Sequence, residues 1–287
     1  MKPFIRFGEL YELRILDCVD NPQYPPFTMF GYFDSKHLDD MAKAALRWTP
    51  KAAGVYVTMN PVNPDLLARA ANRVIRAGRD TKSTSDGDIV ARRRLTIDFD
   101  PDRPAGISAT DEEKVFASQV AWMVRSDLHV LGWPEPIEAD SGNGYHLNYA
   151  VDLPADDGGL VERFLQALSA KYTTPTVKVD TSLFNPSRII KLYGTWSRKG
   201  DPVPTRPHRL AMITSRPPFL TTVDRAQIET FVRENPPPEP EPKTVPVTAG
   251  GQTPNGDLRP GDDFENRADW MADILGPAGW TADKEPS

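Results

Sequence analysis

Cysteine is almost missing from this chain. Cys18 is the single one in 287 residues, and histidine is scarce too, at His37, His129, His146 and His208. One cysteine rules out a disulfide framework, and these few ligands leave no structural zinc site to expect. No run of about 18 apolar residues occurs, so neither a transmembrane helix nor a membrane partner is expected. The N-terminus has no basic stretch followed by an apolar core, so no signal peptide is expected, and cytoplasmic location is the default. A strong charge of one sign is lacking as well. The net charge is −6, but ten of the 40 acidic residues and four of the 34 basic ones lie from Pro236 onward. Residues 1–235 are therefore neutral, and overall charge decides nothing about a nucleic-acid partner; local clustering does.

What remains is ordinary globular composition, 39% apolar and 26% charged, enough for one large domain or one domain with an appendage. Apolar alternation predicts strands over Glu12–Cys18, Thr28–Phe33, Gly54–Met59, Thr174–Asp180 and Arg209–Thr214. Helical spacing predicts a helix over 35–48, with Leu38, Met41, Ala42, Ala45 and Leu46 inward, and another over 64–78. In the latter, Arg69, Arg73 and Arg76 fall at i, i+4 and i+7 as one basic stripe. Thr110 and Glu113 make a capping box opening a helix to about Asp127, with Phe116, Val120, Met123 and Val124 as its core face. Further helices are predicted over Gly159–Tyr172 and Thr221–Arg233. Residues 1–235 thus read as the folded domain and 236–260 as a Pro-rich linker, stiff at first and then flexible. Residues 261–287 hold one short helix (264–275) that docks on something or begins a further module.

The residues that carry chemistry cluster at strand ends. In Leu95-Thr96-Ile97-Asp98-Phe99-Asp100 the apolar residues share one face, which puts Asp98 and Asp100 together on the other, roughly 7 Å apart. Two such carboxylates repel each other and resist burial unless a cation sits between them; the alternative is a strand running out into an acidic turn before Pro101. Arg92-Arg93-Arg94 leads into this strand, and 69–94 holds eight basic residues against three acidic ones, a candidate nucleic-acid or nucleotide contact. Residues 137–151 read as a hairpin around Ser141-Gly142-Asn143-Gly144, glycines that allow close backbone approach and amides suited to an anion. On its second strand His146 and Asn148 oppose Tyr145, Leu147 and Tyr149; locally, His146 is as readily a plain polar residue on a half-exposed strand. Asp180 ends the next strand, followed by Arg188, Lys191, Arg198 and Lys199. Hard carboxylate oxygens suit Mg²⁺ or Mn²⁺ rather than zinc, and basic residues beside them suit a triphosphate.

These motifs, in this order, resemble the archaeo-eukaryotic primase superfamily in its PrimPol-like branch from phages and plasmids. Asp98-Phe99-Asp100 matches the family's Asp-x-Asp, Ser141 to His146 its glycine-extended Ser-x-His element, and Val179-Asp180 its apolar-Asp motif. Asn185, Arg188, Gly194, Thr195 and Lys199 match the stretch that follows, with Tyr193 departing from the proline common before Gly-Thr. The resemblance spans about Arg92 to Asp201. It implies an α+β fold, with an RRM-like catalytic core beside an N-terminal mixed α/β module. It also implies template-directed DNA primase-polymerase activity from dNTPs or NTPs in replication of a mobile element. Two Mg²⁺ or Mn²⁺ ions would sit on Asp98, Asp100 and Asp180. His146, Ser141 and the turn (Gly142, Asn143, Gly144) would take the nucleotide, and Arg188 and Lys191 are added here for the triphosphate on position and charge. Single-stranded template and primer are the implied partners, with Arg69, Arg73, Arg76, Arg92, Arg93, Arg94, Arg198 and Lys199 as candidate contacts; a helicase part is a further candidate partner through the C-terminal segment. The competing expectations are a metal-dependent single-strand nuclease and a non-catalytic nucleic-acid-binding module.

Overall fold

Two large, mainly antiparallel sheets, each covered by helix on one side, and one two-stranded ribbon carry the described residues. The structure, a computed structural model, describes residues 5–238. In chain order its elements are β1 (Leu10–Cys18), β2 (Phe27–Asp34), α1 (Leu38–Trp48), β3 (Gly54–Thr58), β4 (Ile75–Arg76), β5 (Ala91–Pro101), α2 (Asp111–Val130), β6 (Ile137–Asp140), β7 (Tyr145–Pro154) and α3 (Leu160–Tyr172). Then come β8 (Val177–Val179), β9 (Ile189–Lys191), β10 (Trp196–Ser197), β11 (Arg209–Leu210), β12 (Met212–Ser215), β13 (Thr222–Val223) and α4 (Arg225–Glu234). The mixed α and β content and the antiparallel pairing agree with an α+β class.

The first sheet runs β4-β2-β1-β3-β9. Tyr11, Leu13, Ile15, Val55 and Val57 alternate onto the side covered by Met41 and Ala45 of α1. Ala42 and Leu46, expected on the same stripe, are exposed. The second sheet runs β12-β6-β7-β5-β8, and β13 joins β7 in parallel. Its middle is a β-α-β-β-α-β unit, β5-α2-β6-β7-α3-β8, with the strands in the spatial order β6-β7-β5-β8. Leu95, Ile97, Phe99, Leu147 and Tyr149 turn to α2, α3 and α4 and form the larger core. Trp133 stacks on Phe164 at 5.2 Å and meets Tyr149 edge-on. Each such buried apolar side chain contributes about 1.5–3 kcal/mol, and together they leave this strand register little freedom. A slip of one residue would carry Asp98 and Asp100 into that core.

Most elements lie where periodicity placed them, and the Thr110–Glu113 capping box is present. One predicted helix is not there. Residues 64–78 form a short 3₁₀ turn (Pro64–Arg69), begun by Asn63, whose side chain accepts from the Asp65 amide. The chain then runs extended along the edge of β2. Tyr32 N donates to Ala70 O, Asn72 N to Tyr32 O and Ala77 N to Thr28 O. Asn72 takes a left-handed backbone (φ 50°), which breaks the helix, and its side chain bonds Asp34 on both sides of its amide. Gly31 admits this edge: a Cβ there would stand 2.0 Å from Arg73 O. Arg69 is thus exposed at the end of the 3₁₀ turn and Arg73 and Arg76 on the edge segment, not aligned on one helix, and Arg76 lies 4.2 Å over the Phe27 ring. On α2 the buried face is Ala117, Val120, Ala121, Val124 and Leu128; Met123, expected inward, is exposed. The predicted linker beyond Pro238 and the predicted helix over 264–275 lie outside the described residues. Among the described residues no helix is long and apolar enough to cross a membrane.

Candidate active site

The pairing register of the second sheet assembles the acidic centre. On β5, Asp98 stands directly opposite His146 of β7, and Asp180 N, at the end of β8, donates to Asp98 O at 2.9 Å. Residues 82 positions apart in sequence are thereby neighbours. Asp98 Oδ1 is buried and is paired with His146 Nε2 at 3.3 Å. Asp100 points the same way, and Arg103 Nη1 donates to its Oδ1 at 2.8 Å. Partial burial first, and then the adjacent Asp98 carboxylate, hold the Asp100 carboxyl above its ordinary pKa despite Arg103.

His146 is buried, its Nδ1 2.8 Å from Tyr193 Oη. Burial disfavours the imidazolium, but Tyr193 and Asp98 outweigh it and raise the pKa to about 10. Lys191 closes the opposite wall. Its Nζ donates to Trp196 O at 2.6 Å and sits 5.2 Å over the Tyr56 ring. Burial, with the nearby Lys199 ammonium, drops its pKa to about 7. Between these walls is a cleft of about 140 Å³ bordered by Asp98, Asp100, His146, Lys191 and Lys199. Asp100 and Lys199 also border an outer groove of about 710 Å³, lined further by Arg103, Lys178 and Asp180.

Several candidate residues stand differently from expectation. The Asp180 carboxylate caps its own turn, accepting from Ser182 N at 2.7 Å and Ser182 Oγ at 3.0 Å, and faces the outer groove. Among the described residues no group of three or more His, Cys, Asp or Glu side chains is arranged to hold a metal; the carboxylates facing the cleft are Asp98 and Asp100. Three amides of the glycine turn are taken up within the turn itself. Gly142 N donates to Asp140 Oδ1, Gly144 N to Ser141 Oγ and Ser141 N to Gly144 O. Asn143 is buried, tied to Ala109 N and Ser197 Oγ. The turn is small so that it can approach β5: a Cβ on Gly144 would stand 2.4 Å from Phe99 O. Ser141 does border the cleft.

The arginine triplet is structural. Arg92 is buried, paired with Asp157 at 3.1 Å and donating to Ala155 O and Phe184 O. Arg93 pairs with Glu9 and Asp152, and Arg94 is buried in the sheet. Arg92 and Arg94 are buried and the Arg93 side chain is largely covered. Arg188 donates to Ser182 Oγ, behind Asp180, and Arg198 to Pro50 O. Lys199 is exposed at the junction of cleft and groove.

Sequence reading missed Arg103, Tyr56 and the contact made by Tyr193. Arg103 carried a local signal, a cation three residues after Asp100. The other two carried none, because their partners come from distant strands. Comparison with protein-family models, with curated proteins and with solved structures returned no match for this chain.

Proposed function

We propose that this protein is a template-directed primase-polymerase that transfers nucleotides from dNTPs or NTPs, serving replication of a mobile element. The observation that carries the reading is the cleft itself: Asp98, Asp100 and His146 on adjacent strands, facing Lys191 and Lys199. The β-α-β-β-α-β unit with strand order β6-β7-β5-β8 supports an RRM-like core, and the first sheet with α1 is then its N-terminal mixed module.

Asp98 and Asp100 fit a hard divalent cation. Two carboxylates on one strand face, with the Asp100 carboxyl held above its ordinary pKa by burial and by its neighbour, are relieved by positive charge between them. Mg²⁺ or Mn²⁺ there would neutralise phosphate oxygens and activate an attacking hydroxyl. Asp180, hydrogen-bonded to the Asp98 backbone, braces the dyad and lines the outer groove beside it. Lys191 holds its proton weakly in the free protein and regains it when phosphate charge arrives, so the cleft answers to polyanions. Lys199 adds a second cation at the mouth, and His146 presents Nε2 from the floor.

The test is incubation of the full chain with primed and unprimed single-stranded templates, nucleotides and Mg²⁺ or Mn²⁺. Template-dependent products that vanish in Asp98→Ala and Asp100→Ala are expected. No product, or undiminished synthesis in both variants, defeats the proposal. Degradation of single strands without nucleotides would point instead to a nuclease using the same carboxylates.

A further inference from the structure

A run of buried and half-buried side-chain hydrogen bonds leads from the middle of β5 to His146, and Tyr193 is its pivot. Ile137 O is a backbone carbonyl and only accepts, so the Asn148 amide that bonds it at 3.2 Å does so through Nδ2. That fixes the orientation of the amide. Its second Nδ2 hydrogen goes to Tyr193 Oη at 2.9 Å, and its Oδ1 accepts from Thr96 Oγ1 at 3.0 Å. Tyr193 Oη then meets His146 Nδ1 at 2.8 Å. Thr96, Asn148 and His146 are all at least 96% buried, and Tyr193 is half-buried. One ring nitrogen of His146 is committed to Tyr193. The other is turned to Asp98, 3.3 Å away, and the cleft.

We propose that Tyr193 is the positioning residue of His146: its hydroxyl, oriented by Asn148 and Thr96, locks the imidazole so that Nε2 alone faces Asp98 and the cleft. Tyr193 arrives from the loop after β9, while His146 and Asn148 are on β7. The lock therefore ties the edge of the first sheet to the acidic centre of the second. The consequence for catalysis rests on the polymerase reading above; the lock itself does not.

Tyr193→Phe removes one oxygen and keeps the ring that packs edge-on against His146 at 5.9 Å. Two readouts decide the matter. The first is the ring-nitrogen correlation spectrum of His146 in metal-free protein at fixed pH. The wild type should give a single set of signals, and Tyr193→Phe a displaced or doubled set as the ring loses its anchor. The second is primer extension, in which kcat/KM for the nucleotide should fall on the order of tenfold to a hundredfold while template affinity stays constant. Thr96→Val, two bonds further back, should move the same ring signals less, and it decides the question if Tyr193→Phe does not fold. Unchanged His146 signals in the folded variant overturn the proposal, whatever the melting temperature does. Displaced signals in a protein without polymerase activity uphold the lock and reject the polymerase reading instead.

Discussion

Replacing Lys191 by Met should make the protein more stable and less active, in a pH-dependent way. Lys191 is 5% exposed, and its pKa falls from 10.5 to about 7. That fall corresponds to about 5 kcal/mol of cost for keeping the ammonium charged in the folded cleft. Met preserves the length and the contact with the Tyr56 ring but leaves Trp196 O without its donor, a loss of about 1–3 kcal/mol. The net gain is therefore about 2–4 kcal/mol, or roughly 5–15 °C in melting temperature for a domain of this size. The sign follows from the depressed pKa. Below pH 7 both folded and unfolded chains carry the proton, and the wild type bears the full cost. Between pH 7 and 10.5 the unfolded chain binds a proton that the folded one lacks, so wild-type stability climbs with pH and the advantage of Met fades. Urea denaturation at pH 6, 8 and 10 reads this directly, beside nucleotide incorporation at pH 7.5, which should drop. A variant less stable than wild type at pH 6, or a gain that does not change with pH, refutes the burial argument for Lys191.

Other substitutions probe the same architecture. Gly144→Ala should cost about 1–3 kcal/mol, because the added carbon meets Phe99 O at 2.4 Å; an unchanged melting curve would mean that the turn does not press on β5. Arg92→Leu leaves the Asp157 carboxylate buried without its cation and should lose about 3 kcal/mol, while single-strand affinity of the folded protein stays at the wild-type value. A fall in affinity at equal folding would return Arg92 to the nucleic-acid interface. Asp98→Asn should lower the Asp100 carboxyl pKa, followed by carbon-detected titration, since the adjacent charge is one of the causes that raise it.

Strand alternation made much of this fold readable. The face carrying Leu95, Ile97 and Phe99 and the face carrying Asp98 and Asp100 separate as a period of two requires, and the hairpin around Ser141–Gly144 closes where its glycines put it. The Thr110 capping box was legible because it is local. What failed was decided by tertiary pairing. The apolar spacing of Leu66, Ala70 and Val74 suits a helix, but the edge of β2 takes the segment and Asn72 turns it aside. Arg92, Arg93 and Arg94 look like a basic patch in one dimension; their partners Asp157, Glu9 and Asp152 come from elsewhere in the chain. Asp98, Asp100 and His146 were recognisable as residues, whereas Tyr193 at the back of His146 was seen only as a departure from a motif.

The most direct measurement is a crystal structure of the full chain with Mn²⁺ and a non-hydrolysable deoxynucleoside triphosphate, with the metal located by anomalous scattering. The account predicts Mn²⁺ between the carboxylates of Asp98 and Asp100, and phosphates against Lys191, Lys199 and His146. Mn²⁺ away from that pair, or a triphosphate outside the cleft, would contradict it.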